Sequence, residues 1–393
     1  MKLRLAIVLV IVGLLAFQVV RSAAVRAVPD SSLAATLWPS HPGVRLTKMM
    51  REIGSRAARG ESLPPALLSD VDRYAVQVPL APEPYLVKGA LAQLERDDAR
   101  AERLFLHARA LDPRSEAARY FLADRFMRIG QTSRALSEMA VLAKLVPGVS
   151  EQFAPALAVF ARSPGAAAPL KEMFRSSPEF EPPVLTALAS DAGNADLVMR
   201  LWSGNVAAAS PPGMNWKERL VQALVDKQDY ARARSIWSRL SGVQAPANGI
   251  FNPDFGDRAA PPPFNWRFLS KGGVAEPNKE GGLEVIYFGR LDAPLAEQLL
   301  RLRPGRYTLG MAVSASGSNG SNVNWTVQCL PGGSPIARLP LLAEQVGKRI
   351  AATFVVPDDG CPAQQLQLSG TAGEFPKSVE FTVSDLRLTR VPR

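Results

Sequence analysis

Few side chains in this sequence are able to do chemistry, and their spacing excludes most of it. The only histidines are His41 and His107, and the only cysteines are Cys329 and Cys361. A structural zinc site takes about four Cys or His ligands, and these four residues fall in three distant stretches, so no metal and no cofactor is expected. No Cys–His or Ser–His pairing stands out for a nucleophile and its base. Glycoside hydrolysis needs two carboxylates at a set separation. Asp254, Asp257, Glu284 and Asp292 are available, but they form no recognisable constellation. The chain is therefore expected not to be an enzyme.

What remains is binding, and the elements around these residues say of what kind. The 393 residues are 47% hydrophobic and 21% charged, a globular composition with material for two or three domains. The formal charge is +10. Residues 246–393 hold 15 Lys+Arg against 13 Asp+Glu, so the part before them carries +8 of that excess. A basic surface can meet acidic polymers or anionic headgroups, but no block of five or six like charges occurs, and a solvated face explains the excess as well.

Lys2 and Arg4 precede an uncharged run from Leu5 to Val20. A basic start followed by an apolar run is an export signal. Two outcomes stay open for residues 1–27. Small-residue sites at Ser22-Ala23-Ala24 and Val25-Arg26-Ala27 would allow cleavage. The length of the run and the nearness of Arg21 favour an uncleaved anchor. Either way, residues from about 28 onward are expected outside a bacterial inner membrane, in the periplasm. That compartment disfavours nucleic acid as a partner and permits a disulfide. A Cys329–Cys361 bond is expected, with two buried thiols as the alternative.

Pro79, Pro113 and Pro147 recur every 34 residues. Other positions keep the same period. Gly89, Ala101, Phe105 and Ala108 precede Pro113, and Ala123, Ala135, Met139 and Leu142 precede Pro147. Small residues let two antiparallel helices approach; bulky ones fill the space between units; each Pro stops a helix. Residues 82–147 resemble the tetratricopeptide repeat family on these positions. Ser55 and Leu67 mark a weaker unit before Pro79, and Ala233, Trp237 and Leu240 a further one. Between them, residues 150–212 are helical but interrupted by Pro164, Pro178 and Pro182-Pro183. The expectation is one α-solenoid over 28–245. The resemblance implies a concave face that binds protein segments, with Arg96, Arg100 and Arg119 as candidates for it.

Composition changes near Ser241. Beyond it, short runs are bounded by turn residues: Leu283–Phe288, Tyr307–Val313, Val323–Leu330, Arg349–Val356, Gln364–Leu368 and Val379–Arg390. They predict an all-β sandwich over 246–393. Asn252-Pro253-Asp254-Phe255, Phe264-Asn265-Trp266, the Leu302–Leu309 strand entry and the last strand at Phe381–Leu388 resemble the galactose-binding-like jelly rolls that include many carbohydrate-binding modules. Many such modules hold a structural calcium through an acid where this chain has Gly256, so no calcium is expected. Sugar binding would need exposed aromatic rings beside polar groups, which makes Trp266, Trp325, Tyr287 and Tyr307 candidate platforms, with sandwich core as the competing role. The combined expectation is a non-enzymatic envelope scaffold for protein partners, anchored at the inner membrane. It is similar in outline to accessory proteins of exopolysaccharide export, and carbohydrate binding by the jelly roll is the alternative.

Overall fold

The computed structural model describes residues 15–23, 32–204, 216–244, 246, 249–257, 260–315, 322–341, 347–374 and 377–392. The chain divides into two compact units, one ending at Phe153 and one beginning at Ala154.

Most of the expected Leu5–Val20 signal lies outside the described residues. Residues 15–23 are helical, with Leu15, Phe17, Val19 and Val20 exposed. No helix among the described residues is long and apolar enough to cross a membrane.

In the first unit a short α1 (Ser32–Leu37) leads into helix pairs: α2 (Pro42–Ala58) with α3 (Pro65–Gln77), α4 (Glu83–Leu94) with α5 (Asp98–Leu111), and α6 (Glu116–Arg128) with α7 (Thr132–Leu145). The 34-residue period is the length of one pair. Side chains cap the starts: Asp97 accepts from the Arg100 N–H at 3.0 Å and Ser115 from that of Ala118 at 3.4 Å, which satisfies donors a helix cannot pair internally. Helices α5 and α7 end two residues before Pro113 and Pro147, which sit exposed in the turns, because the residue before a proline is pushed out of the helical region.

Gly89, Ala101, Phe105, Ala108, Ala123, Ala135 and Met139 are all buried. The reason for glycine at 89 is a ring rather than a second small residue: a Cβ there would stand 2.6 Å from the Phe105 ring. Gly89→Val is expected to cost about 1–3 kcal/mol by overpacking, seen as an earlier denaturant midpoint of the helical signal. Gly54→Ala on α2, where nothing lies within 4 Å, is the control expected to be neutral or slightly stabilising.

Charges tie successive pairs together. Glu138 of α7, its side chain only 5% exposed, bonds Arg109 of α5 and, at 2.6 Å, Arg119 of α6. Arg119 also donates to the Pro113 carbonyl through Nε at 2.8 Å and Nη2 at 2.6 Å. Farther along, Arg125 of α6 pairs with Asp98 at 2.7 Å, and Arg134 of α7 lies over the Phe126 ring at 3.8 Å. Arg119, a candidate for an exposed inner face, is instead 13% exposed at its side chain and bonded inside the unit. Arg100 pairs with Glu95, and Arg96 closes α4 at φ 61°.

The second unit holds both helices and sheet. Helix α8 (Val149–Ala161) spans the division and is followed by α9 (Ala167–Ser176), α10 (Glu181–Ala189), α11 (Ala195–Leu201), α12 (Trp216–Asp226) and α13 (Tyr230–Ser241). The strands are β1 (Arg267–Phe268), β2 (Gly273–Pro277), β3 (Gly282–Tyr287), β4 (Ala293–Leu300), β5 (Gly305–Ala315), β6 (Val323–Leu330), β7 (Pro335–Pro340), β8 (Arg349–Val356), β9 (Ala363–Gly370) and β10 (Val379–Arg390). They form two antiparallel five-stranded sheets, ordered β1-β4-β9-β6-β7 and β2-β3-β10-β5-β8.

Helix gives way to strand after Ser241, where composition shifts, yet the compact units divide at Phe153. Trp237 of α13 explains the difference. Its indole Nε1 donates to the Pro261 carbonyl at 2.7 Å, and its ring packs against Phe251 and Phe264 with centroids 5.2 and 5.7 Å away. The last helix thus shares a core with the loop that opens the sandwich.

Candidate functional site

The loop that carries the jelly-roll motif does structural work. Asn252, at φ 53°, donates through Nδ2 to the Asp257 carbonyl at 2.8 Å and to Asn265 Oδ1 at 3.0 Å. Asn265 donates to the carbonyls of Asp257 and Ala260 at 2.8 and 2.7 Å and accepts from the Trp266 N–H at 2.8 Å. Trp266 Nε1 closes the ring of bonds on the Asn252 carbonyl at 2.7 Å. Buried amides left unpaired would be costly, so these residue types are needed to hold the turn whether or not a ligand binds.

The candidate sugar platforms, Tyr307 included, lie inside. Trp266 is 4% exposed, Trp325 1% and Tyr287 0%. Trp266 and Trp325 meet edge to face, 5.8 Å between centroids, within the sandwich core. Tyr287 packs against Gly370 of the opposite sheet, where no Cβ would fit, and its hydroxyl donates to the Leu291 carbonyl at 2.9 Å. Burial pushes the Tyr287 and Tyr307 phenols above their ordinary range. The burial has a simple cause: Trp325 and Tyr287 fall on inward positions of β6 and β3, where alternation sends every second residue to the core, and Trp266, just ahead of β1, is held inward by its bond to the Asn252 carbonyl. Trp266 also reaches the wall of a hollow of about 630 Å³ shared with Glu218, Asp257, Phe268 and Glu276, but it offers little surface there.

Three of the four carboxylates weighed for glycosidase chemistry accept hydrogen bonds from the protein itself. Asp292 accepts from the Ala372 N–H at 2.7 Å, Glu284 from Asn278 at 3.4 Å and Asp257 from the Ala260 N–H at 3.4 Å. Cys329 and Cys361 are joined by a disulfide, with Cα atoms 4.9 Å apart. Of the histidines, His41 accepts from the Gly43 N–H at 3.1 Å, and His107 meets Tyr85 edge to face.

The outward positions of sheet β1-β4-β9-β6-β7 form the arrangement that sequence reasoning missed. One straight row crosses all five strands: Arg267 faces Glu297, Glu297 faces Gln367, Gln367 faces Thr326 and Thr326 faces Arg338. In the next row Leu299, Gln365 and Gln328 are neighbours. The polar groups are already oriented by one another. Arg267 donates to Glu297 Oε1 at 3.0 Å; Gln365 and Gln367 donate to Glu297 Oε2 at 2.7 and 3.3 Å; Gln328 donates to Gln365 Oε1 at 3.2 Å. Helix α12 borders the row at one end, where Arg267 meets Gln222 at 3.5 Å. Each primary amide keeps donor and acceptor capacity beyond these bonds. The face can therefore hydrogen-bond a ligand rich in hydroxyls without first ordering its own side chains, which lowers the entropic cost of binding.

In the first unit, the most exposed aromatic on the repeat helices is Tyr120 of α6, 47% exposed and packed on Phe153. It stands on the first helix of its pair.

The architecture itself defines the class: a helical-repeat region followed by a two-sheet β-sandwich. No protein-family model matches the chain, and no curated protein matches it. Among solved structures, a CBM4 protein is similar to 36% of this chain and 99% of its own, at 14% identity and a TM-score of 0.30. MamA residues 41 to the end, from Desulfovibrio magneticus RS-1, cover 50% of this chain and 93% of their own, at 19% identity and a TM-score of 0.23. YrrB, a TPR protein with an unusual peptide-binding site, covers 44% and 92%, at 12% identity and a TM-score of 0.25.

Proposed function

We propose that this protein is a non-catalytic adaptor of the bacterial envelope, holding a polysaccharide on the amide row of its sandwich and a protein partner on its helical repeats. The observation that carries the reading is the row itself. Gln365, Gln367 and Gln328 are half-buried, pre-bonded and gathered on one sheet face around Glu297. The hydrogen bonds that Asp257, Glu284 and Asp292 accept within the protein support a binding role over hydrolysis. A buried disulfide supports an oxidising compartment, and hence the periplasmic side of an inner membrane reached through the N-terminal apolar run.

Affinity electrophoresis of the full chain through gels containing soluble polysaccharides tests the glycan arm. The wild type should be retarded by at least one. The double change Gln365→Ala, Gln367→Ala should abolish most of that retardation, since each lost hydrogen bond costs about 0.5–1.5 kcal/mol, while circular dichroism stays unchanged. No retardation of the folded wild type by any gel, or equal retardation of the variant, would refute the assignment.

A further inference from the structure

We propose that the amide face selects polysaccharides bearing carboxylates, such as polyuronates, over neutral ones; this rests on the glycan reading above. The five strands of this sheet carry three ionisable side chains, Arg267, Glu297 and Arg338. Glu297 is spoken for. Its side chain is 16% exposed, and its two oxygens take bonds from Arg267, Gln365 and Gln367. Arg338 differs. It is exposed on edge strand β7, its cross-strand neighbour is Thr326, and among the described residues no carboxylate lies within ion-pair distance of it. Among the described residues the face therefore presents one guanidinium with no paired carboxylate beside a group of amides and hydroxyls.

The outward positions of that sheet add a second constraint. Thr326, Gln328, Gln365, Gln367, Ser369 and Arg338 are polar, Leu299 and Asn324 are buried, and none of the row residues is aromatic. Stacking on a ring, which would hold an uncharged sugar face, is unavailable there. Selectivity then falls to hydrogen bonds and charge. A guanidinium matches a carboxylate with two parallel N–H donors, a stronger and more directional contact than an amide makes with a hydroxyl. From Arg267 to Arg338 the row spans four strand spacings, roughly 19 Å, long enough for several linked sugars.

The test measures binding of the full chain to polygalacturonate, to dextran and to polyglutamate at low and high salt, for wild type, Arg338→Gln and Arg338→Lys. Polygalacturonate should bind best. Arg338→Gln should weaken it about tenfold, the value of one charge-assisted pair, and leave the melting temperature unchanged. Arg338→Lys should recover only part, because a point charge replaces the fork. High salt should weaken polyuronate binding in the wild type. Dextran binding as tight as polygalacturonate, or indifference to Arg338→Gln, would overturn the selectivity and leave the glycan reading standing. Polyglutamate binding as tightly as the polyuronate would overturn it in favour of bare charge attraction. Binding to no polysaccharide at all would overturn both.

Discussion

Glu138→Ala is expected to destabilise the helical unit by about 3–5 kcal/mol, the cost of breaking a buried ion pair by removing one partner. Glu138 is the single acid between two arginines from different helices, with 5% of its side chain exposed. Without it, Arg119 stays 13% exposed and beside Arg109, with the Pro113 carbonyl as its remaining acceptor among the described residues. Two guanidiniums would then face each other with no counter-charge. The three residues sit on α5, α6 and α7, so the loss falls on the stacking of one helix pair on the next. A denaturant titration followed by the helical signal should show the midpoint move early. Glu138→Gln, which keeps the shape and some acceptor capacity, should fall between wild type and alanine. A change below about 0.5 kcal/mol, the range of an ordinary surface substitution, would mean the network carries no weight.

The second large effect is expected at the disulfide. Cys329 is the last residue but one of β6, Cys361 precedes β9, and the two strands are direct neighbours with Cys329 opposite Gln364. The bond spans a sequence separation of 32. In the loop-entropy model such a closure contributes about 3–4 kcal/mol. Replacing both cysteines with alanine should lower the melting temperature of the sandwich by that measure, and adding reductant to the wild type should do the same. Both sulfurs are buried, so alanine is the better substitute than serine, which would bring unpaired hydroxyls into the core. Unchanged melting in the double variant would show that strand pairing alone fixes this corner.

The helical pairs were legible because their packing repeats. Small and bulky residues at a fixed interval, each pair closed by proline, leave a pattern that one sequence displays. The charge network is not periodic in that way. Glu138 reads as an ordinary surface acid on a helix, and only the approach of α5 and α6 turns it into a buried hub. Arg119 was misplaced for the same reason.

In the sandwich, the strands seen in advance are those rich in β-branched and aromatic residues, such as Val323–Leu330 and Arg349–Val356. Strand β4 escaped. Its sequence, Ala-Pro-Leu-Ala-Glu-Gln-Leu-Leu, is made of helix formers apart from one proline, and it becomes a strand because β1 and β9 pair on either side of it. β7 escaped because prolines bracket it, as edge strands tolerate. Glu297 and Arg338, the shared acceptor and one end of the polar row, lie on these two strands. The aromatic residues drew attention instead, and the alternation of the strands buries them. The signal that was available is the repeated glutamine in Gln364-Gln365-Leu366-Gln367-Leu368: leucines alternate with amides there, which marks a strand with one polar face.

Hydrogen–deuterium exchange of the full chain, with and without a polysaccharide that retards it, tests the central claim most directly. The account predicts added protection in β4, β6 and β9 and at Arg338 in β7, with the sheet containing β5, β8 and β10 unaffected. Protection confined to that second sheet, or to the Asn252–Trp266 loop, would contradict it.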